Sequence, residues 1–563
     1  LAEPADLQQA AGIPQAAEDA GTPSRSGAAR FAGAAALIAG LTIASRIVGF
    51  GRTLVLGYVA GTGQDTITNP YLTANTVPNI IFEIVAGGAL AALVVPLVAS
   101  AINRGDTAAV SRTGSTLLTW VLTILTPVAL VVAVAAEPIV RLAGTSGDAA
   151  DVAAGMLRVF AIQIPLYGVS IVLGGLLQAH RRFAWPVLAP LVSSVVVVAT
   201  YLLYGAVVPR GTKLADVSTA GREILAVGTT LGVAALALCL VIPVWRLGLR
   251  LRPAYGFDAD AGAKVRGLAW VGVVTVAAQQ LSLFLAVSLI NLAGGNLYIF
   301  TLAQSVYLVP WSVLALPVAT ASYPTMASAY AADNEDIYRR TLASATRTVL
   351  LLSALAAASM IAAARPMAEV FAWLAGGTLN ISAFTAALIA FAPGLIGYGL
   401  FALHSRALYA RHQNRFAALA TLIGWGAVAI ASVVLALVLP DHDRVTAVIV
   451  ANSVGMTVLA GVLLVIIRRR AGRSALAGVP RAGAAAVLAG TVAGAAGVLI
   501  RAPLPEHPGV AGQIGLGMLS AVVVLIVFGL IMAIADPHDI RPLTTRMSRM
   551  VGLRRPQRSG QGE

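Results

Sequence analysis

The sequence predicts an all-α polytopic membrane protein of about 14 transmembrane helices: two six-helix lobes related by a pseudo-twofold, plus two C-terminal helices. Three observations predict it. Of 563 residues, 58% are hydrophobic and only 11% charged, with a mean hydropathy of +0.85. The apolar residues fall into runs long enough to cross a bilayer, which takes roughly 20 residues per helix. The arginines fall in alternate loops between those runs, the asymmetry that sets membrane orientation. In a soluble protein a net charge of +14 would point to nucleic acid. Here topology accounts for it, and no nucleic-acid partner is expected. A single cysteine, Cys239, excludes an internal disulfide.

Residues 1–29, rich in Ala, Pro, Glu and Gln without an apolar period, read as a disordered cytoplasmic tail and not as a signal peptide. Spanning segments follow at about 31–60, 72–102, 110–136, 152–179, 184–208 and 224–247. They make an N-terminal lobe over 30–249. A polar cytoplasmic linker, 250–266, separates it from segments at about 267–294, 297–331, 341–364, 380–410, 416–439 and 445–467, a second lobe over 267–470. Segments at about 482–500 and 511–535 lie in a last membrane unit, 471–535, before a basic cytoplasmic tail, 536–563.

With the N-terminus inside, the predicted cytoplasmic loops hold Arg104, Arg112, Arg181, Arg182, Arg339, Arg340, Arg406, Arg411 and Arg468–Arg470. Most of the 38 lysines and arginines then lie on one side, so an even number of spans with both termini cytoplasmic is expected. The runs at 468–470 and 554–555 read as topology signals or as sites for anionic headgroups. An internal repeat is faintly visible. The second segment carries Val77-Pro78 and ends in Pro96…Ala-Ser-Ala101; the eighth carries Val309-Pro310 and ends in Pro324…Ala-Ser-Ala329. Parallel repeats with a site between them are a transporter design; chance similarity of Ala/Val-rich helices is the alternative.

Candidate chemistry starts in the first segment. Arg46 and Arg52 lie inside an apolar run, where a charge normally faces a polar cavity or a partner; snorkelling to an interface is the bland reading. Six residues apart, they differ by about 9 Å in height and about 120° in direction. Gly49 and Gly51 between them permit a bend that would bring both into one cavity. Two guanidinium forks suit a phosphate or diphosphate. Glu83 falls at a similar depth, about 16 Å from the outer end of the second segment, as a reversible counter-charge or a static ion pair. Gln279, Gln280, Gln304 and Ser305 are polar at membrane depth and either line a cavity or bond between helices. No Walker motif, Cys/His cluster or triad is present, so no enzyme activity, cofactor or metal site is expected.

Ser45-Arg46-Ile-Val-Gly-Phe-Gly-Arg52, Pro78-Asn79, Gly88-Ala89-Leu90 and Val95-Pro96 together resemble the MurJ (MviN) family, lipid II flippases of the multidrug/oligosaccharidyl-lipid/polysaccharide exporter superfamily. The resemblance extends along the whole chain. It implies lipid II as the substrate, carried from the inner to the outer leaflet of the bacterial cytoplasmic membrane for peptidoglycan synthesis by alternating access. It implies central-cavity roles for Arg46 and Arg52; Ser45, Asn69, Asn79, Glu83, Gln304 and Ser305 complete the set of candidate substrate-binding residues. Membrane lipids and wall-synthesis proteins are the implied partners, and the last two helices would hold the polyprenyl tail. The sequence departs from the family at several points. Thr53 follows Arg52 where an acid is usual, and Asn69 replaces a cavity acid. Phe82 and Ser305 stand at positions of two family arginines, and segments 7 and 11 lack the acids of the sodium site described in some members. Two alternatives stay beside this reading: an exporter of another polyprenyl-linked saccharide, and a non-transporting scaffold for wall synthesis.

Overall fold

In a computed structural model the protein is described at residues 45, 47–85, 91–256, 259–501 and 509–535, side chains at 91–93, 96 and 259–272 excepted. The described residues hold helices and loops and no strand. In chain order the helices are α1 (Ile47–Ala60), α2 (Thr68–Glu83), α3 (Ala91–Asn103), α4 (Thr107–Val134), α5 (Ala136–Leu142), α6 (Gly147–Phe160) and α7 (Gln163–Ala179). Then come α8 (Ala184–Val207), α9 (Thr219–Trp245), α10 (Ala259–Leu292), α11 (Leu297–Pro310), α12 (Leu316–Ala331) and α13 (Glu335–Leu374). Last are α14 (Ile381–Phe391), α15 (Gly394–Ala410), α16 (Asn414–Val438), α17 (Arg444–Arg470), α18 (Val479–Leu499) and α19 (Gly509–Ala535).

Eleven helical spans among the described residues are long and apolar enough to cross a membrane, or twelve if the bent pair α14–α15 is one span. The expected count of 14 is not reached. Only residues 45 and 47–60 of the first expected segment are described, and the second is interrupted by the undescribed 86–90. The fourth and tenth segments are each two helices, broken at Ala161–Ile162 and at Ala392–Pro393. The helix expected from 267 starts earlier, at Ala259, so the polar linker is shorter than read.

That linker also does not hang free. Its backbone lies extended along α4, whose Ser111, Ser115 and Thr119 side chains accept from the N–H groups of Arg250, Arg252 and Ala254 at 3.3, 2.9 and 3.0 Å. The registers match because two residues of extended chain rise about 6.6 Å and four residues of helix rise about 6 Å. Trp120 Nε1 donates to the Tyr255 carbonyl and Tyr255 Oη meets Thr123 Oγ1, fastening the strap at the middle of α4.

The two halves repeat each other's irregularities. Helix α2 turns to π winding at 84–85, and α11 continues into a π segment, Trp311–Ala315, just past Pro310. Gly105 and Asp333 take positive φ (70° and 53°) in the loops before α4 and α13. The caps that follow, Asp106 and Asn334, accept from Ala109 N and Ile337 N, as N-cap side chains do. Arg181 and His412 take positive φ (59° and 56°) in the loops after α7 and α15.

Packing follows the same division. One apolar core joins residues 56–249, and two more join 286–479. A fourth couples α18 and α19 to α13 through Ala354, Ala358, Ala362, Ala489, Ala493 and Val524. Alanines and Gly494 and Gly497 let these three helices approach closely.

Candidate functional site

Helix α2 separates the halves and has two working faces. Asn69, Thr73, Thr76, Ile80 and Glu83 recur every three to four residues and so form one stripe. The first two of them tie the halves together at the end of the bundle that carries the 61–67 loop. Asn69 accepts from Leu297 N at 3.1 Å and donates to the Gly295 carbonyl. Asn291 Nδ2 donates to Thr73 Oγ1 at 3.0 Å and to the Ala143 carbonyl at 2.8 Å. Thr62 Oγ1 bonds Thr378 Oγ1 at 3.0 Å, Asn296 donates to the Thr62 carbonyl, and Tyr298 Oη donates to the Thr53 carbonyl. Gly57 is needed there, because a Cβ would lie 2.2 Å from Tyr298 Oη. This latch is entirely neutral.

The rest of the stripe lines a cavity of about 440 Å³ between the halves. Thr76 to Glu83 lie 8 to 15 residues beyond the start of α2, about 12–22 Å along it, which is mid-bilayer depth. Thr76, Asn79, Ile80 and Glu83 face Gln279 and Gln280 of α10, Phe300, Thr301, Gln304 and Tyr307 of α11, and Trp311. Phe391, Tyr398, Trp425 and Asn452 complete the far wall. Tyr307 stacks on Phe391 (4.8 Å) and on Tyr398 (6.0 Å), and Trp311 packs on Tyr398 (4.7 Å). Glu83 is the only charged residue among the described residues of this lining, is exposed, and makes no ion pair with a described residue.

The second face of α2 looks into the N-terminal half. Tyr71 Oη bonds Tyr201 Oη at 2.7 Å and Thr229 Oγ1 at 3.0 Å. Tyr167 Oη donates to Asn79 Oδ1 at 3.0 Å, linking this cluster to the cavity wall. Arg52 is half-buried, lies within electrostatic range of Tyr71, Tyr167 and Tyr201, and makes no hydrogen bond or ion pair to a described residue. Uncharged neighbours cannot neutralise it, and an unpaired cation at this depth favours the approach of an anion.

Of the residues singled out from the sequence, Asn79, Glu83 and Gln304 line the cavity, as do Gln279 and Gln280. Arg52 is not in the cavity lining and lies near the tyrosine cluster of the first half. The expected Arg52–Glu83 ion pair is not formed. Helix α1 runs on through Gly49 and Gly51. Asn69 is in the latch and not in the cavity. Ser305 Oγ turns back to the Thr301 carbonyl of its own helix at 2.9 Å. Ser45 is helical and half-buried, and Arg46 lies outside the described residues. Phe82, where the family pattern has an arginine, packs on Tyr167 with ring centroids 4.5 Å apart. Sequence reading missed Tyr307, Trp311, Tyr398, Trp425 and Asn452. Aromatic residues in apolar runs look like lipid-facing ones until the neighbouring helices are placed.

The loops at the opposite end of the second half use arginines as structural caps. Arg411 pairs with Glu335 at 2.8 Å, stacks near Tyr330 and Tyr338, and donates to the Arg470 carbonyl. Arg339 donates to the Ala471 carbonyl at 2.8 Å. Cations at a helix C-terminus are favourable.

Comparison with known proteins agrees with this architecture. The chain is 24% identical to the lipid II flippase MurJ of Burkholderia cenocepacia over 398 residues, 67% of this chain and 72% of the relative. It is 24% identical to a probable lipid II flippase MurJ of Haemophilus influenzae over 398 residues, 67% and 75% of the two chains. Among solved structures, lipid II flippase MurJ in an inward closed conformation superposes with a TM-score of 0.67 at 17% identity, covering 87% of this chain and 98% of that one. An inward-facing multidrug resistance MATE family transporter of the MOP superfamily superposes with a TM-score of 0.62 at 14% identity, covering 78% and 98%. The family model described as lipid II flippase MurJ matches residues 59–507; that span contains the cavity, both helix-breaking repeats and all of the latch but Thr53 and Gly57, and the chain belongs to the MurJ lipid II flippase family.

Proposed function

We propose that this protein carries lipid II from the inner to the outer leaflet of the cytoplasmic membrane by alternating access of two lobes, 30–249 and 267–470. The observation that carries this reading is the cavity: polar, at mid-depth, between the halves, and shut at one end by hydrogen bonds that must part for cargo to leave that way. The shut end is the outer one, since the loops rich in arginine lie at the other end and belong in the cytoplasm. Neutral side-chain bonds of this kind are each worth only about 0.5–1.5 kcal/mol net, so the latch opens at modest cost. Arg52, with Arg46, holds the substrate diphosphate, and α18–α19 hold the polyprenyl tail.

Rescue of a strain depleted of its lipid II flippase tests the reading. The expected result is growth with normal wall synthesis. A chain that supports export of a different lipid-linked saccharide, or that works with Arg52→Ala as a mere scaffold would, overturns it. Orientation is tested separately with single cysteines at 181, 340 and 469 in a Cys239→Ser background. They are expected to resist an impermeant thiol reagent in intact cells.

A further inference from the structure

Glu83 stands where α2 changes its winding. It is the last residue of α2, directly before the π turn at 84–85, and π turns inside helices occur frequently at functional sites. Tyr167 of the first half and Tyr398 of the second both lie within its electrostatic range. Tyr167 is also within range of Arg52, so one phenol lies close to the carboxylate and to the guanidinium, which do not themselves pair. An ionisable side chain at membrane depth is costly and marks a functional position. The groups around it hold their charge state. Besides Tyr167 of α7 and Tyr398 of α15, the described titratable group in the lining is Tyr307 of α11, and phenols ordinarily titrate near 10. Helix α10 contributes Gln279 and Gln280, α16 and α17 contribute no titratable side chain to the lining, α3 carries none in its sequence, and Arg52 stays charged throughout. Glu83 is thus the one described group here that can change its charge between about pH 4 and about pH 8.

We propose that Glu83 is the binding site of a proton that is taken up when the anionic substrate enters. The inference rests on the flippase reading and adds a second ligand to it. A diphosphate esterified at both ends keeps its negative charges across this pH range. In a cavity of about 440 Å³ no wall is far from it. Like charges on the order of 10 Å apart, at an effective dielectric of about 20, repel enough to weaken binding tenfold or more. Arg52 can answer charge on the diphosphate, but the carboxylate then adds to the excess. A proton on Glu83 removes that repulsion. One O–H bond forms, the cavity gains one positive charge, and no other reactant is consumed. The carboxylic acid can also donate a hydrogen bond where the carboxylate could only accept one.

The test is equilibrium binding of lipid II to the purified full chain in lipid nanodiscs, from about pH 8 to about pH 5, with proton uptake read in parallel by a pH indicator in weak buffer. The parent is expected to bind about tenfold more tightly at the acid end and to take up as much as one proton per lipid II bound. Glu83→Gln, a stand-in for the protonated acid, is expected to bind at every pH within about twofold of the parent's acid-end affinity and to take up no proton. Glu83→Asp is expected to keep both the pH dependence and the uptake. A parent whose affinity does not change with pH overturns the proton site while leaving the flippase reading standing. So does a Glu83→Gln protein with the parent's pH dependence and uptake, or a folded one that binds more weakly than the parent at every pH, which would make the carboxylate a direct contact. A parent that binds lipid II at no pH removes the flippase reading, and the proton site with it.

Discussion

The two halves share a backbone plan and differ in how they treat the tyrosines beside the central cavity. Each breaks its fourth helix, winds its second into a π turn, and sets a positive-φ residue in the matching loops. Inside the first half, Tyr71 bonds both Tyr201 and Thr229, and Tyr167 bonds Asn79. Inside the second, Tyr307 Oη, Trp425 Nε1 and Asn452 Oδ1 belong to residues around the cavity and are buried without a hydrogen-bond partner among the described residues. The first half ties Tyr71, Tyr167 and Tyr201 into one cluster beside Arg52; the second uses Tyr298 and Tyr338 on the Thr53 and Ala407 carbonyls and leaves Tyr307 Oη without a partner among the described residues. A duplicated scaffold has thus been divided by side chains alone, because helix breaks and caps depend on the backbone while hydrogen-bond satisfaction depends on individual atoms.

The comparison can be broken or sharpened by substitution, the largest effect first. Locking the halves at the latch should stop transport altogether. Thr62→Cys with Thr378→Cys, whose hydroxyls now touch at 3.0 Å, should cross-link in a Cys239→Ser background and abolish complementation, with recovery on reduction. Full function of the cross-linked protein would mean the latch does not open.

Next comes the cation. Arg52→Ala should abolish complementation with normal insertion, since topology is carried by the loops. Arg52→Lys should be partly defective, because lysine keeps the charge and loses the bidentate fork. Full activity with lysine and tolerance of alanine would reduce Arg52 to a snorkelling residue.

The sharpest contrast is between two identical substitutions. Tyr71→Phe strips two buried hydroxyls of a partner and should cost about 1–3 kcal/mol of stability. Tyr307→Phe loses no hydrogen bond to a described residue and should leave the substrate-free protein as stable as the parent or slightly more so. Thermal unfolding in detergent decides it. Equal destabilisation by both would erase the difference between the halves.

The smallest effect is expected at Glu83. Exposed and without an ion pair to a described residue, it should tolerate Glu83→Gln within about 0.5 kcal/mol, as unpaired accessible positions do. A loss of several kcal/mol would instead reveal a buried partner for its charge.

Much of this was legible in the chain itself. Apolar runs of spanning length placed most of the helices to within a few residues, although α10 and α13 begin well before the expected 267 and 341, because in hydrocarbon every backbone polar group must be bonded within its own segment. Pro78 and Pro310 already marked the matching helices whose winding changes. Gln279, Gln280, Gln304, Asn79 and Glu83 could be picked out because a polar side chain is rare at that depth. The break in the fourth segment was less visible, since Ala161–Ile162 carries no local signal and the alternative of one long helix is equally apolar, whereas Pro393-Gly394 marks the break in the tenth.

By itself, then, the sequence determined the class, the approximate spans, the asymmetry of charge and the small set of polar residues at membrane depth, all of which follow from the one-dimensional cost of placing each side chain in lipid. Tertiary structure alone decided which of those residues meet. It put Asn69 in a latch and Asn79 in a cavity, although both lie on one helix, and turned Ser305 back onto its own backbone. It laid residues 250–256 along the serine and threonine ladder of α4. It gathered Tyr307, Tyr398, Trp425 and Asn452 from four helices into one wall. Such meetings depend on helix rotation and neighbour choice, which are set by packing summed over many contacts and leave no period or motif in any single segment.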